Sequence, residues 1–165
     1  GALVNTLCAV KGSLLNKYYT GSSSLFKTTF ESKPNSKGKI GPLSAAIYNE
    51  HVNIVHILAK AGANVGNDGT NSTPFLNLAS MAGYTEIVKE LINSGADVNA
   101  KDEAHGTTAL MNACLFGHED IVKELLKAKA NVNTKGPNGI TALKLAKKKG
   151  YDNIVNLLKE AGAKE

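Results

Sequence analysis

The chain has 165 residues, of which 42% are hydrophobic, and a formal net charge of +5 at pH 7. This length suffices for one domain with a sizeable core, and no segment reaches the roughly 18 to 20 apolar residues that a membrane-spanning helix needs. All 19 basic residues are lysine, and since arginine is the usual bidentate reader of guanine and phosphate, its absence argues against sequence-specific DNA recognition.

The N-terminal part of the chain has an irregular pattern. Apolar residues among positions 3–15, with the small Cys8 and Ala9, predict a diverged N-terminal capping unit, whereas residues 20–40 predict a long loop interrupted by Leu25, Phe26 and Phe30. Long loops are often functional. Two interpretations stay open: an ordered flap whose aromatic residues cover the first repeat, or a ligand-binding or enzymatic site under residues 20–36.

One pattern then recurs four times, and each copy is centred on an Ile-Val pair. The pairs lie 33 or 34 residues apart: Ile54-Val55, Ile87-Val88, Ile121-Val122 and Ile154-Val155. A fixed period in this range is typical of a solenoid of stacked two-helix units. Because no unit can bury its apolar face alone, the period favours an extended contact surface over an enclosed catalytic pocket.

Each copy contains two helix-like segments. In the third copy, Leu110, Ala113 and Cys114 share one helical face, and a stronger apolar stripe follows from Ile121 to Leu126. Gly117 between them predicts a helix end with positive φ. Threonines before the first helix predict N-caps, and glycines after the second helix predict C-caps. These residues are Thr73, Thr108 and Thr141, and Gly62, Gly95 and Gly162. Lys129 replaces the glycine in the third copy and predicts backbone strain of about 1 kcal/mol.

The repeat resembles that of the ankyrin family, whose unit of about 33 residues comprises a β-turn and two antiparallel helices. The matching motifs in the third copy are Gly106-x-Thr108-Ala109-Leu110, Gly117-His118, Ile121-Val122, Leu125-Leu126 and Ala130-x-Val132-Asn133. The resemblance implies an all-α fold, an ankyrin-repeat solenoid of stacked helix-turn-helix units joined by short β-turn or hairpin loops. The predicted single domain comprises a diverged cap and loop (1–37), three repeats (38–68, 69–101 and 102–135) and a C-terminal capping repeat (136–165).

The chain departs from the family pattern at several places. The histidine of the first-helix motif is replaced by Ser44, Asn77, Met111 and Lys144, which predicts the loss of a side-chain hydrogen bond at each turn. Glu50 stands where glycine is expected. Residues 147–149, all lysine, predict the polar outer face of a terminal unit. Phosphate or nucleic-acid binding by these lysines and Lys144 is the alternative, and it predicts strong salt dependence.

The sequence offers no catalytic or metal-binding constellation. It contains neither H-E-x-x-H nor C-x-x-C. His51 and His118 occupy the same repeat position, so they are stacked copies and not a converging pair. Cys114 and His118 lie on either side of Gly117, and we interpret Cys114 as a buried, inert thiol. We therefore predict no enzyme activity, no metal and no cofactor.

By the resemblance, partners bind the concave side, which the first helices and the turn tips form. An exposed apolar stripe there would be typical of an interaction site. Whether Leu115 and Phe116 belong to it or pack beneath neighbouring turns stays open. We predict a non-enzymatic protein-binding module, with a structural spacer within a larger protein as a further alternative. The predicted protein-binding residues are Tyr48, Asn49, Met81, Leu115, Phe116, Asn71, Lys101, Glu103, His105 and Asn138.

Further expectations concern the setting of the protein. We expect an unidentified protein partner, no specific nucleic acid and a monomer. Two cysteines without a disulfide framework favour the cytoplasm, while a periplasmic or secreted location stays open if a signal peptide preceded Gly1. Lysine without arginine, together with abundant asparagine, favours an AT-rich genome and a bacterial member of the family.

Overall fold

The computed structural model describes residues 41–67 and 73–164. In these ranges the chain forms eight α-helices and one turn of 3-10 helix, Pro137–Gly139. The α-helices are α1 Pro42–Tyr48, α2 Val52–Lys60, α3 Phe75–Ala82, α4 Thr85–Asn93, α5 Ala109–Phe116, α6 Glu119–Lys127, α7 Ala142–Lys149 and α8 Asp152–Glu160. Extended pairing in the described part is limited to an isolated antiparallel bridge between Lys101 and Thr108. The predicted all-α solenoid is confirmed; the predicted N-terminal cap, residues 1–37, lies outside the described residues.

The helices form two rows. The inner row consists of α1, α3, α5 and α7, and the outer row of α2, α4, α6 and α8; each helix packs against its neighbours in its own row and against its partner in the same repeat. The core fills the space between the rows. Small residues line its inner side, where Ala79, Ala113 and Ala146 are fully buried. Their size lets the inner helices approach closely, and this approach places successive inner helices side by side along one surface.

The helix ends agree with the predicted caps at two of three threonines. The hydroxyl oxygen of Thr108 accepts from the Met111 amide at 3.4 Å, and that of Thr141 accepts from the Lys144 amide at 3.3 Å. The prediction for Thr73 is wrong. Helix α3 begins at Phe75 with Pro74 as its N-cap residue, so the Thr73 hydroxyl is free to donate to the Asp102 carboxylate instead.

The expected loss of a hydrogen bond at every first-helix motif is also wrong for the second repeat. The side-chain amide of Asn77 donates to the backbone carbonyl oxygen of Thr107 at 2.8 Å. The side-chain amide of Asn112 donates to the backbone carbonyl oxygen of Asn77 at 3.4 Å. Asn77 therefore contributes a bond that joins the second repeat to the third. Met111, in contrast, is buried as an apolar core residue.

Lys129, after the second helix of the third repeat, has the positive φ on which the predicted strain depends, 62°. A residue with a side chain is disfavoured at positive φ by about 1–2 kcal/mol. Replacing it by glycine recovers only part of this energy, because glycine has more conformational freedom in the unfolded chain. We therefore expect Lys129→Gly to raise the free energy of unfolding by about 0.5–1 kcal/mol, measured by urea denaturation. The matched control is Ala128→Gly, at a φ of −77°, which should lower stability; equal effects of the two variants would contradict the strain.

Candidate functional site

The candidate surface lies at the C-terminal ends of the inner helices. Among the described residues, three large apolar side chains are exposed, and two of them, Met81 at 43% and Phe116 at 48%, lie in the last turns of α3 and α5. The sequence left open whether Leu115 and Phe116 belong to the exposed stripe. In the structure Phe116 is exposed and Leu115 is half-buried. Tyr48 and Asn49 are also half-buried. The exposed apolar stripe therefore consists of Met81 and Phe116.

The Phe116 ring is held in place by its neighbours. It stacks on the His118 ring with 6.3 Å between centroids and 23° between planes. Nε2 of His118 lies 3.2 Å from the Met81 carbonyl oxygen, and because a carbonyl only accepts, Nε2 is the donor. Gly83 makes room for this ring, since a Cβ there would lie 2.8 Å from Cε1 of His118. The Phe116 ring and the Met81 backbone are thus both tied to His118, which lowers the entropy that the Phe116 ring loses on binding.

One of the predicted protein-binding residues, Asn49, is tied to its own helix. The Asn49 side-chain amide donates to the Ala45 carbonyl oxygen at 2.8 Å. The inter-helix turn beside it is also unusual, since Glu50 has a φ of 56° at a place where the second, third and fourth repeats have glycine. Asn49 is therefore a helix-end residue in this structure, with its amide group already used.

The turn tips place several predicted residues in solvent. Lys101, Glu103 and His105 are exposed in the hairpin between the second and third repeats, and Asn138 is exposed in the next one. The Lys101 ammonium group donates to the Lys135 carbonyl oxygen at 3.2 Å, which links the two tips. Asn71 lies outside the described residues. The structure thus brings the exposed tip residues to the ends of two adjacent hairpins.

Asp102 organises the first of these hairpins. It is only 3% exposed, and its carboxylate accepts from the Thr73 hydroxyl, from the His105 amide at 2.7 Å and from Nδ1 of His105 at 3.0 Å. Burial is the largest single effect and raises the pKa of this carboxyl, but the hydrogen bonds from Thr73 and His105 outweigh it, so the pKa lies below the ordinary 3.8. The Thr73 partner lies 29 residues away in sequence, so local sequence signals do not predict this role of Asp102.

The lowered pKa of Asp102 predicts a pH dependence of stability. Because the folded chain binds this proton less readily than the unfolded chain does, the stabilisation is complete above the ordinary value of 3.8 and is lost as the pH falls through the lowered value. We expect Asp102→Asn to flatten this acid limb when the free energy of unfolding is measured against pH. An acid limb identical to that of the unmodified chain would contradict the role of Asp102.

The groups with possible chemical reactivity do not converge. Cys114 is fully buried, and burial raises the pKa of its thiol to about 12, so the neutral, unreactive form prevails at physiological pH. In residues 41–67 and 73–164, three or more His, Cys, Asp or Glu side chains nowhere form a group that could hold a metal ion. The alternative site under residues 20–36 lies outside the described residues.

Comparison with known proteins identifies the family. A family model described as "Ankyrin repeats (3 copies)" matches residues 14–102 and 76–165. A "Putative ankyrin repeat-containing protein" of Treponema pallidum (strain Nichols) is 33% identical over 119 residues, which is 72% of this chain and 40% of that protein. The relative is bacterial, in line with the origin expected from composition. No helix in the described part of the chain is long and apolar enough to cross a membrane. With these matches and its two rows of stacked helices, the chain belongs to the ankyrin-repeat family.

Proposed function

We propose that this chain is a non-enzymatic protein-binding module that engages a partner protein along the groove lined by its inner helices and turn tips. Ankyrin repeats are generally protein–protein interaction modules. The observation that carries the proposal for this chain is the exposure of Met81 and Phe116 at adjacent inner-helix ends. Methionine and aromatic residues are enriched in interfaces, and the Phe116 ring is held by the His118 ring.

The magnitudes show that these two residues are anchors and not the whole interface. Full burial of a large apolar side chain stabilises by about 1.5–3 kcal/mol, and both side chains are already about half-buried. Together they contribute about 1.5–3 kcal/mol, whereas a micromolar complex needs about 8 kcal/mol. The rest must come from other contacts, and the exposed tips at Lys101, Glu103, His105 and Asn138 are positioned to supply some of them.

The proposal is tested with peptides selected from a random peptide display library on the unmodified chain. We expect the double variant Met81→Ser with Phe116→Ser to bind the selected peptides at least about 10-fold more weakly, as loss of about 1.4 kcal/mol requires. Leu115 and Tyr48 stay unchanged because they are half-buried and their replacement would also test folding.

The matched control is Ile57→Ser. Ile57 is 63% exposed and lies on α2 in the outer row. Its substitution therefore removes an exposed apolar side chain away from the stripe and should leave the affinity for the peptides unchanged. Circular dichroism establishes that all variants are folded. If the Met81 and Phe116 double variant binds as tightly as the unmodified chain, the proposed site is wrong.

We further propose that the module is a monomer. Support comes from the outer row, where acids and lysines form exposed ion pairs, among them Lys123 with Glu119 at 2.7 Å and Lys127 with Glu124 at 2.9 Å. Mixed charge of this kind keeps a surface soluble and is depleted from interface cores. Light scattering after size-exclusion chromatography tests this, and a concentration-dependent dimer mass would contradict it.

A further inference from the structure

We propose that the partner segment in this groove is an acidic peptide that carries large apolar residues at one end and a run of Asp or Glu at the other. The apolar end occupies the stripe of Met81 and Phe116, and the acidic end lies against α7. This inference rests on the proposed function and specifies the chemistry of the partner.

Charged residues are distributed differently between the two rows of helices. The four inner helices contain no Asp or Glu, and their only charged residues are Lys144, Lys147, Lys148 and Lys149, all exposed on α7. The outer helices carry the acids Glu86, Glu90, Glu119, Asp120, Glu124, Asp152 and Glu160. The groove side is thus purely cationic along its helices, whereas the opposite side is mixed.

The lysines of the two rows also differ in their ion pairs. Three of the five outer-helix lysines have carboxylate partners within their own helix: Lys89 at 2.7 Å, Lys123 at 2.7 Å and Lys127 at 2.9 Å. Lys60 and Lys159 form no ion pair among the described residues. On α7, Lys144, Lys148 and Lys149 form no ion pair within the described part of the chain, where α7 itself offers no acid. A solvated helix face that served solubility alone would interleave both signs, as the outer row does.

The lysines at the end of α7 lie next along the stack from the apolar residues at the end of α5. Lys148 and Lys149 follow α5 residues Leu115 and Phe116 by one repeat, and α5 packs against α7. Packed helices lie about 8–10 Å apart, and an extended peptide rises about 3.3 Å per residue. A peptide that runs along the stack therefore advances about three residues per repeat. We expect its acids to begin about three residues after the side chain that contacts Phe116.

The energetics assign different roles to the two ends. An exposed ion pair contributes about 0–1 kcal/mol and is screened by salt, so the lysines add modest affinity and mainly select an acidic partner and speed its association. The apolar anchors remain necessary. A nucleic acid would use the lysines through its phosphates and would gain nothing specific from Met81.

The experiment pans a random peptide display library on the unmodified chain and measures the selected peptides against three variant pairs. Lys148→Gln with Lys149→Gln removes two of the four positive charges of α7 while keeping good helix formers. Lys60→Gln with Lys159→Gln is the matched control, since both are exposed last-turn lysines of outer helices. Met81→Ser with Phe116→Ser removes the anchors. A single-stranded oligodeoxynucleotide serves as a second probe.

We expect the selected peptides to combine a large apolar residue with an acidic run. Removing the charges of Lys148 and Lys149 should weaken the binding of these peptides at least about 5-fold at low salt and less at high salt. The control pair of substitutions should leave their binding unchanged.

Peptides that need Met81 and Phe116 but carry no excess acid, and whose binding is unaffected by the α7 variant, would overturn this inference while the proposed function stands. If no peptide depends on Met81 and Phe116, both fail. An oligodeoxynucleotide that binds as tightly as the peptides and ignores the anchor variant would make the ligand a nucleic acid and overturn the inference.

Discussion

Replacing Leu125 by alanine is expected to lower the free energy of unfolding by about 2–5 kcal/mol. Leu125 is fully buried in α6, between the two rows, with Leu91 and Leu158 at the same place in the adjacent repeats. Loss of its side chain leaves a cavity that the close-packed rows cannot fill. The loss is large compared with the roughly 5–15 kcal/mol that stabilise a typical domain. Urea denaturation followed by circular dichroism measures it.

The adjacent residue provides the control for this prediction. Leu126 is half-buried at the edge of the core, so Leu126→Ala removes the same atoms but leaves an opening that solvent can occupy. We expect a loss of about half that of Leu125→Ala or less. Equal losses would mean that burial between the rows is not what stabilises the stack.

The second large effect is expected for Gly117→Ala, in the turn between α5 and α6. Gly117 has a φ of 78°, and a Cβ there would lie 2.7 Å from Cζ of Tyr151 in the next repeat. The left-handed backbone alone disfavours alanine by about 1 kcal/mol, once the greater freedom of glycine in the unfolded chain is counted, and the clash with the ring adds about 1–3 kcal/mol of strain. We expect a total destabilisation of about 2–4 kcal/mol by urea denaturation.

The fourth repeat offers a matched control for the clash. Gly150 occupies the same repeat position with a φ of 75°, but a Cβ there would meet nothing within 4 Å among the described residues. Gly150→Ala should therefore show only the backbone cost of about 1 kcal/mol. The excess at Gly117 should disappear in a Tyr151→Ala background, since the two residues are coupled through one contact. An excess that persists there would contradict the clash.

Local sequence signals predicted most of the fold. The Ile-Val period identified the outer helices, and Gly117 and Lys129 marked helix ends that do have positive φ. These features depend on periodicity and on the conformational range of single residues, so one sequence suffices. The hydrogen bonds of Thr73 and Asn77 could not be predicted in the same way, because each bridges about one full repeat. Such contacts depend on how the repeats stack.

The candidate site could be predicted only in part. The sequence predicted protein-binding residues at the ends of the first three inner helices, but residues adjacent in a helix point about 100° apart. The stacking of neighbours decides that Phe116 is exposed and Leu115 is half-buried. The absence of acids from the inner helices is visible in the sequence, but residues 147–149 also fit the polar face of a terminal repeat.

The most direct test of the protein-binding groove uses the two methionines of the chain. Met81 is 43% exposed on the proposed surface, whereas Met111 is 1% exposed in the core. With carbon-13 in the methionine methyl groups, the NMR spectrum should contain one reporter at the site and one internal control. Binding of a display-selected peptide should shift or broaden the Met81 signal and leave Met111 unchanged. Saturation binding with no change at Met81 would contradict the account.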